Sequence, residues 1–243
     1  MESQHSELEG KLILVTGAAK RIGRGIALRL AREGARVVIH YNRSEDEARE
    51  TARQCGGAPI LRANLEHVAE IERMFAELDR LGGRLYGLVN NAARFARLHP
   101  LEMTEEEWDF ILNVNLKAVF FCAREAARRM REAGEGRIVN ISSVGGILPW
   151  AQHAHYCVSK AGVIMLTRAL AKALGPGTTV NSVAPGVIPF YDIDSEGLSV
   201  IEATPARRGG TAEEIADAAV YFLKASNFIT GQILAVDGGL SLR

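Results

Sequence analysis

Lys11-Leu12-Ile13-Leu14-Val15-Thr16-Gly17-Ala18-Ala19-Lys20-Arg21-Ile22-Gly23-Arg24-Gly25 passes from an aliphatic run through a glycine turn into a helical pattern. Lys11–Thr16 reads as a buried strand, because its central residues are aliphatic without a polar alternation. Ile22–Glu33 then carries helical spacing, and Gly34 ends it. A glycine turn that opens a helix directly after a strand lets backbone N–H groups and the helix dipole meet a pyrophosphate. Gly17, Ile22 and Gly23 are therefore candidate cofactor contacts. Glycines also serve turns and helix–strand packing, so it is the position after the first strand that gives this cluster its meaning.

The same strand-then-helix unit recurs along the chain. Arg36–Tyr41, Ala58–Ala63, Leu85–Val89, Arg137–Ile141, Thr179–Val183 and Gln232–Val236 read as further strands. Ser44 with Glu47, Thr104 with Glu107 and Thr211 with Glu214 have the spacing of helix capping boxes. The helix from Thr104 is expected to run to about Ala133, and another covers roughly His155–Leu174. Strands separated by helices imply right-handed crossovers and a parallel sheet covered on both faces. The expectation is an α/β, doubly wound, seven-stranded parallel sheet (a Rossmann fold) in one domain over 11–243, after a polar tail at 1–10. The irregular stretch Gly186–Gly210 follows a strand's carboxyl end and reads as a substrate lid.

Composition narrows the class. The chain has 243 residues, 47% hydrophobic and 24% charged, which suits one globular domain. Lys+Arg and Asp+Glu both total 29, so no global basic field exists to attract nucleic acid. Cys55, Cys122 and Cys157 are scattered, without metal-ligand spacing, as expected of free thiols in a reducing compartment. The N-terminus lacks the pattern of a signal peptide, and no apolar run approaches the ~20 residues of a membrane span. A cytoplasmic protein with no metal, no membrane and no nucleic-acid partner is expected.

Chemistry concentrates in His155-Tyr156-Cys157-Val158-Ser159-Lys160, with Ser143 upstream. Positions i and i+4 share a helix face, so the Lys160 ammonium can sit beside the Tyr156 phenol. A phenol with pKa about 10 is a poor proton relay at neutral pH, and bringing it there needs roughly 4 kcal/mol. One cation at about 4 Å, with an effective dielectric near 20, supplies about that much. The pair is thus a candidate acid/base, and Cys157 beside it reads as packing.

The end of the second strand reads His40-Tyr41-Asn42-Arg43-Ser44, with no acid before Glu45. Sites that prefer NAD place an acid there to hold the ribose 2′-OH. Asn42, Arg43 and Ser44, with Arg21, can instead hold a 2′-phosphate through charge-assisted hydrogen bonds. NADP(H) is expected over NAD(H).

Taken together, the motifs resemble the short-chain dehydrogenase/reductases over about Gly10 to Leu242. The resemblance rests on Thr16–Gly17, Asn90-Asn91-Ala92, Asn113-Val114-Asn115, Asn140-Ile141-Ser142-Ser143, the Tyr156/Lys160 pair, Pro185-Gly186 and Asp237-Gly238-Gly239. It implies Tyr156 as general acid, Lys160 as its modulator and ribose ligand, and Ser143 as hydrogen-bond partner of the reacting group. It implies Asn115 as the anchor of a proton-refilling water chain. Asn91 and Ala92 would line the nicotinamide ribose, and Pro185, Gly186 and Ile188 the nicotinamide. Two departures stand out: Arg21 occupies the place of the usual middle glycine, and Asn64, followed by Leu65, that of the usual Asp near the adenine. The Arg21 turn and the strand-two ending resemble the pteridine and dihydromonapterin reductases, where Phe95 would be the aromatic that stacks on the pterin. Ser143 stands where some of those enzymes carry Asp.

The leading expectation is NADPH-dependent reduction of a pterin. The alternatives are a 3-oxoacyl-(acyl-carrier-protein) or general carbonyl reductase, and an NADPH-binding regulator without turnover. Arg128, Arg129 and Arg131 could form a basic rim for an acidic carrier, whereas Asp192, Asp194 and Glu196 in the lid would repel it. Relatives of this kind form homotetramers, which is the assembly expected here.

Overall fold

The computed structural model describes residues 6–190 and 195–242. Seven strands, β1 (Leu12–Val15), β2 (Arg36–Tyr41), β3 (Ile60–Arg62), β4 (Leu85–Asn90), β5 (Gly136–Ile141), β6 (Thr178–Pro185) and β7 (Ile233–Val236), form one sheet. Their order is β3-β2-β1-β4-β5-β6-β7, and every pairing is parallel. The doubly wound α/β sheet expected from the sequence is present. The strand order reverses between β1 and β4, and a crevice opens there at the strands' carboxyl ends.

Among the described residues there are eight α-helices: α1 (Arg21–Arg32), α2 (Glu45–Gln54), α3 (Val68–Arg80), α4 (Glu105–Leu112), α5 (Ala118–Ala133), α6 (Ala154–Leu174), α7 (Ser195–Glu202) and α8 (Ala212–Lys224); helices cover both faces of the sheet. Alternation along β1 separates the two cores. Ile13 and Val15 pack with Ile26 and Leu30 of α1 and with Ile215 and Phe222 of α8. Leu12 and Leu14 pack with Met74 and Phe75 of α3 and with Ala126 and Met130 of α5. Because both faces are covered, β1 is apolar throughout.

Several boundaries differ from the sequence expectation, each for a local reason. The long helix after Thr104 is interrupted by one π-helical turn, Asn113–Lys117, between α4 and α5. Such turns recur at functional sites, and this one carries Asn115. The 186–210 stretch is not wholly irregular, since it contains α7. The segment 1–10 is not a free tail where it is described: Leu8 is fully buried in the core beside α1, and Ser6 bonds Glu33 at 2.6 Å. Thr104 and Thr211 form their capping boxes with Glu107 and Glu214. Ser44 makes no capping bond, and the Glu47 carboxylate that would complete the box pairs with Lys20 at 2.6 Å instead.

Candidate active site

The glycine turn and the loop after β4 are tied together at the switch point. The Thr16 hydroxyl accepts the Asn91 N–H at 2.9 Å and the Ala92 N–H at 3.0 Å. The Asn91 amide in turn donates to the carbonyls of Thr16 at 2.9 Å and Gly17 at 3.1 Å. Gly17 has φ 62° and passes so close to Ala92 that a Cβ would lie 2.9 Å from its Cα. A Cβ on Gly23 would lie 2.3 Å from the Gly17 carbonyl oxygen and 2.5 Å from the Asn91 amide. Both glycines are therefore steric requirements of this turn. Thr16 itself was not among the sequence candidates for the site. Its signal was a hydroxyl between an aliphatic strand and a glycine turn.

A second tie was also missed. The Gly17 N–H donates to Nδ1 of His40 at 3.0 Å, while Nε2 lies 3.0 Å from the Ala63 carbonyl. These partners fix the neutral tautomer with its proton on Nε2. Burial lowers the imidazole's pKa to about 4, against a weaker opposing pull from the Ala63 carbonyl. A neutral histidine thus joins the ends of β1, β2 and β3 beneath the turn.

A cleft of about 540 Å³ runs along this edge. Its walls include Gly17, Arg21, Ile22, Gly23, Asn42, Arg43, Ser44, Asn64 and Leu65 at one end. Asn91, Ala92, Phe95 and Tyr156 stand at the other. Arg21 adopts φ 53°, the left-handed region that favours glycine, at the place of the family's usual glycine. Asn64 accepts from the Asn42 amide at 3.4 Å and donates to Glu66 at 3.0 Å. An Asp at this position would face the Glu66 carboxylate, so the departure at Asn64 has a local electrostatic cause. Glu66 is itself gripped by Arg94 through bonds of 2.6 and 3.0 Å, which lower its pKa to about 2.

At the far end, α6 carries Tyr156 and Lys160 on one face, and the Ser143 hydroxyl faces the Tyr156 phenol. Ser143 also accepts the Gly145 N–H at 3.0 Å. A Cβ on Gly146 would lie 2.6 Å from the Lys160 backbone, so glycine lets this turn press against α6. Lys160 is only 4% exposed and donates to the Ile141 carbonyl at 2.9 Å. Its ammonium lies 5.8 Å from the Tyr156 ring centre.

The electrostatics differ from the sequence expectation. Burial raises the phenol's pKa, with the Ser143 hydrogen bond opposing it, and burial lowers Lys160 to about 8. The ammonium is anchored on Ile141 instead of resting at ~4 Å from a charge on the phenol, so the Coulombic gain of such a contact does not outweigh burial. The site therefore holds a protonated phenol and, at neutral pH, a charged lysine. That is the form of a proton donor.

Asn115 is fully buried in the π turn. Its side chain accepts the Arg94 N–H at 2.7 Å and donates to the Arg94 carbonyl at 2.9 Å and the Ser159 hydroxyl at 3.2 Å. Ser159 donates to the Tyr156 carbonyl at 2.7 Å, so Asn115 ties the loop after β4 to α6. Pro185, Gly186 and Ile188 lie outside the cleft walls. Gly186 donates to the Val236 carbonyl at 3.0 Å and lines a neighbouring cavity of about 280 Å³. Asp192 and Asp194 lie outside the described residues, as does the Glu196 side chain. Burial raises the Cys55 and Cys122 thiols to about 11 and about 12, which makes them inert. Among the described residues no cluster of His, Cys, Asp and Glu could hold a metal, and no helix is long and apolar enough to cross a membrane.

A family profile described as enoyl-(acyl carrier protein) reductase matches residues 17–241. A short-chain type dehydrogenase/reductase of Picea abies is 35% identical, covering 96% of this chain and 93% of its own. A 3-oxoacyl-(acyl-carrier-protein) reductase, FabG, of Staphylococcus aureus is 36% identical, covering 95% and 98%. Among solved structures, a gluconate 5-dehydrogenase from Burkholderia cenocepacia in complex with NADP and tartrate matches with TM-score 0.92 and 31% identity over 98% of both chains. A mutant Serratia marcescens short-chain dehydrogenase/reductase matches with TM-score 0.90 and 34% identity, over 96% of this chain and 99% of its own. The protein is an oxidoreductase that belongs to the short-chain dehydrogenase/reductase family.

Proposed function

We propose that this protein is an NADPH-dependent reductase of a small-molecule carbonyl or imine. The observation that carries the reading is the Tyr156 phenol in the wall of the cleft that begins at the glycine turn, with Ser143 facing it and the Lys160 ammonium 5.8 Å from its ring centre. The chain's own residues fit the cofactor. Gly17 and Gly23 leave no Cβ in the turn that would meet the pyrophosphate, and Arg43, Arg21, Asn42 and Ser44 line the end that would hold the 2′-phosphate. An NADP complex among the similar structures supports the same choice.

When bound, NADPH supplies the hydride. Tyr156 gives a proton to the oxygen or nitrogen of the reacting bond, Ser143 holds that atom, and Lys160 favours the phenolate left behind. Asn115 holds the loop after β4 in register with α6. Asn91, Ala92, Asn64 and Leu65 line the same cleft and would contact the remaining length of the cofactor, whereas Pro185, Gly186 and Ile188 stand outside its walls.

A small substrate is favoured over an acyl-carrier partner because the basic rim is largely paired. Arg129 grips Asp79 with two bonds of 2.7 Å, and Arg128 bonds Glu125 at 2.8 Å. A pterin is the second reading. Two observations favour it: the exposed Phe95 ring beside Tyr156, and Arg21 lining the same cleft. Free thiols and a net charge of zero suit a cytoplasmic enzyme. Apolar side chains exposed on α6 (Val158, Met165), and at Phe228 and Leu234 beside the sheet edge, suit assembly as a homotetramer.

Steady-state oxidation of NADPH with dihydrobiopterin, acetoacetyl thioester and simple diones tests the function. At least one should turn over, and Tyr156→Phe should lower kcat by about 10²–10⁴ while NADPH still binds. Turnover of the thioester alone would remove the pterin reading. NADPH binding without turnover of any substrate would make the chain a regulator instead.

A further inference from the structure

We infer that the foot of the sheet, at the opposite end of the strands from the cofactor cleft, is a binding site for a small polyanion carrying two or more phosphoryl or carboxylate groups. The inference goes beyond the reductase reading and does not depend on it.

Four neighbouring strands, β2, β1, β4 and β5, each begin at a cation. Arg36 opens β2, Lys11 directly precedes β1, Arg84 directly precedes β4, and Arg137 is the second residue of β5. The register brings them to one edge: Leu12 pairs with Arg36 on one side and with Leu85 on the other, and Gly87 pairs with Arg137. Adjacent strands lie about 4.8 Å apart, so the four basic residues spring from a short stretch of that edge. A cavity of about 320 Å³ opens there, with Lys11, Arg36, Arg84 and Tyr86 in its wall. The Lys11 ammonium lies 4.5 Å and the Arg137 guanidinium 5.6 Å from the Tyr86 ring centre. Arg137 therefore adds its charge to the cavity from within the protein.

Carboxylates do not balance these cations. Glu135 bonds Lys11 at 2.8 Å and is the one acid in the cavity wall among the described residues. Glu7 is the other acid that acts on the Tyr86 hydroxyl. Arg36 reaches the carbonyls of Leu81 and Gly82, where α3 ends, only at 3.4 Å. A Cβ on Gly83 would lie 2.7 Å from its Nη1, so glycine leaves this guanidinium room over the turn. Arg84 makes no hydrogen bond or ion pair among the described residues. Arg137 is 8% exposed, bonds only the neighbouring Gly136 carbonyl at 3.0 Å, and leaves Nε without a partner. The negative end of a helix accounts for a cation such as Arg36, but neither Arg84 nor Arg137 meets one. A buried guanidinium without a countercharge is costly, and an anion in the adjoining cavity lowers that cost. Guanidinium forks match phosphoryl and carboxylate oxygens through paired hydrogen bonds. One charge on the ligand would answer one of these cations, so the row fits an anion with at least two.

Calorimetric titration of the protein with pyrophosphate and with citrate tests the site. Saturating NADPH is present throughout, so that the phosphate-binding end of the cofactor cleft is filled. At least one probe should bind saturably, one per chain, with Kd below about 1 mM. Arg36 and Arg84 are exposed, and Arg36→Gln with Arg84→Gln should weaken that binding at least about tenfold while leaving NADPH affinity unchanged. Arg84→Gln alone removes no bond of the fold and should weaken it about threefold, which keeps the test decisive if the double variant unfolds. Binding of pyrophosphate alone identifies a phosphoryl ligand, and binding of citrate alone a carboxylate; either supports the site. No saturable binding of either probe overturns the inference, as does an affinity unchanged in the variants, and both outcomes leave the reductase reading standing.

Discussion

Single side chains set the working pH range of this protein. His40 is neutral because burial forbids its charge, with its pKa lowered from 6.5 to about 4. Its contribution to stability is complete above about pH 6.5, where neither the folded nor the unfolded chain is protonated at this site. As pH falls from there to about 4, the unfolded chain takes up the proton first, and about 3 kcal/mol of stability is lost. His155, also buried and shifted down, adds loss of the same sign. The carboxylates Glu33 and Glu66, lowered from 4.5 to about 2, keep their contributions above about pH 4.5 and lose them as pH falls from there towards 2. Urea unfolding followed from pH 7 to 4.5 should show this decline. His40→Asn should be less stable at pH 7 yet lose less on acidification. Parallel curves would mean that the imidazole does not carry the effect.

The junctions between elements decide the cofactor. Arg43 and Ser44 sit where β2 passes into α2, and Ser44 makes no capping bond to the helix. Arg43→Ala should raise KM for NADPH about tenfold, the scale of one lost charge-assisted hydrogen bond, and leave KM for NADH within about twofold. Equal rises with both cofactors would contradict a 2′-phosphate site. Arg21, at the junction of β1 and α1, tests the same end of the cleft through the backbone. Its φ of 53° costs an L-residue about 1–2 kcal/mol, which glycine does not incur. Arg21→Gly should therefore keep or raise Tm while weakening NADPH. A clear fall in Tm would show that the guanidinium is structural. The element scale also explains two differences from the sequence expectation. The capping box suggested by Ser44 and Glu47 does not form: Ser44 makes no cap bond, and the Glu47 carboxylate pairs with Lys20, which offers it a full charge. The π turn was invisible because the side-chain pattern of one extra residue per turn is indistinguishable from that of a slightly misaligned α-helix.

For the molecule as a whole, the sheet presents every site loop on one edge and leaves apolar side chains on others. Phe228 is almost fully exposed, Tyr221, Leu234 and Leu242 are exposed as well, and Val158 and Met165 are exposed on α6. Light scattering behind a sizing column should give a particle of four chains, and replacing Met165 or Phe228 by Ser should shift it towards dimers. A monomer in the wild type would refute the tetramer.

Much of this architecture was legible beforehand. The aliphatic runs and the glycine turn determined a parallel doubly wound sheet, because burial on both faces leaves strands no polar alternation. The spacing of Tyr156 and Lys160 determined a shared helix face, because that follows from helical period alone. Only the tertiary structure decided that Thr16 and His40 clamp the turn, that Asn64 answers Glu66, and that the phenol's pKa is raised while Lys160 rests on Ile141. Those facts depend on which groups distant in the chain share a buried space, and on how much water that space excludes, neither of which has a period or a spacing to read.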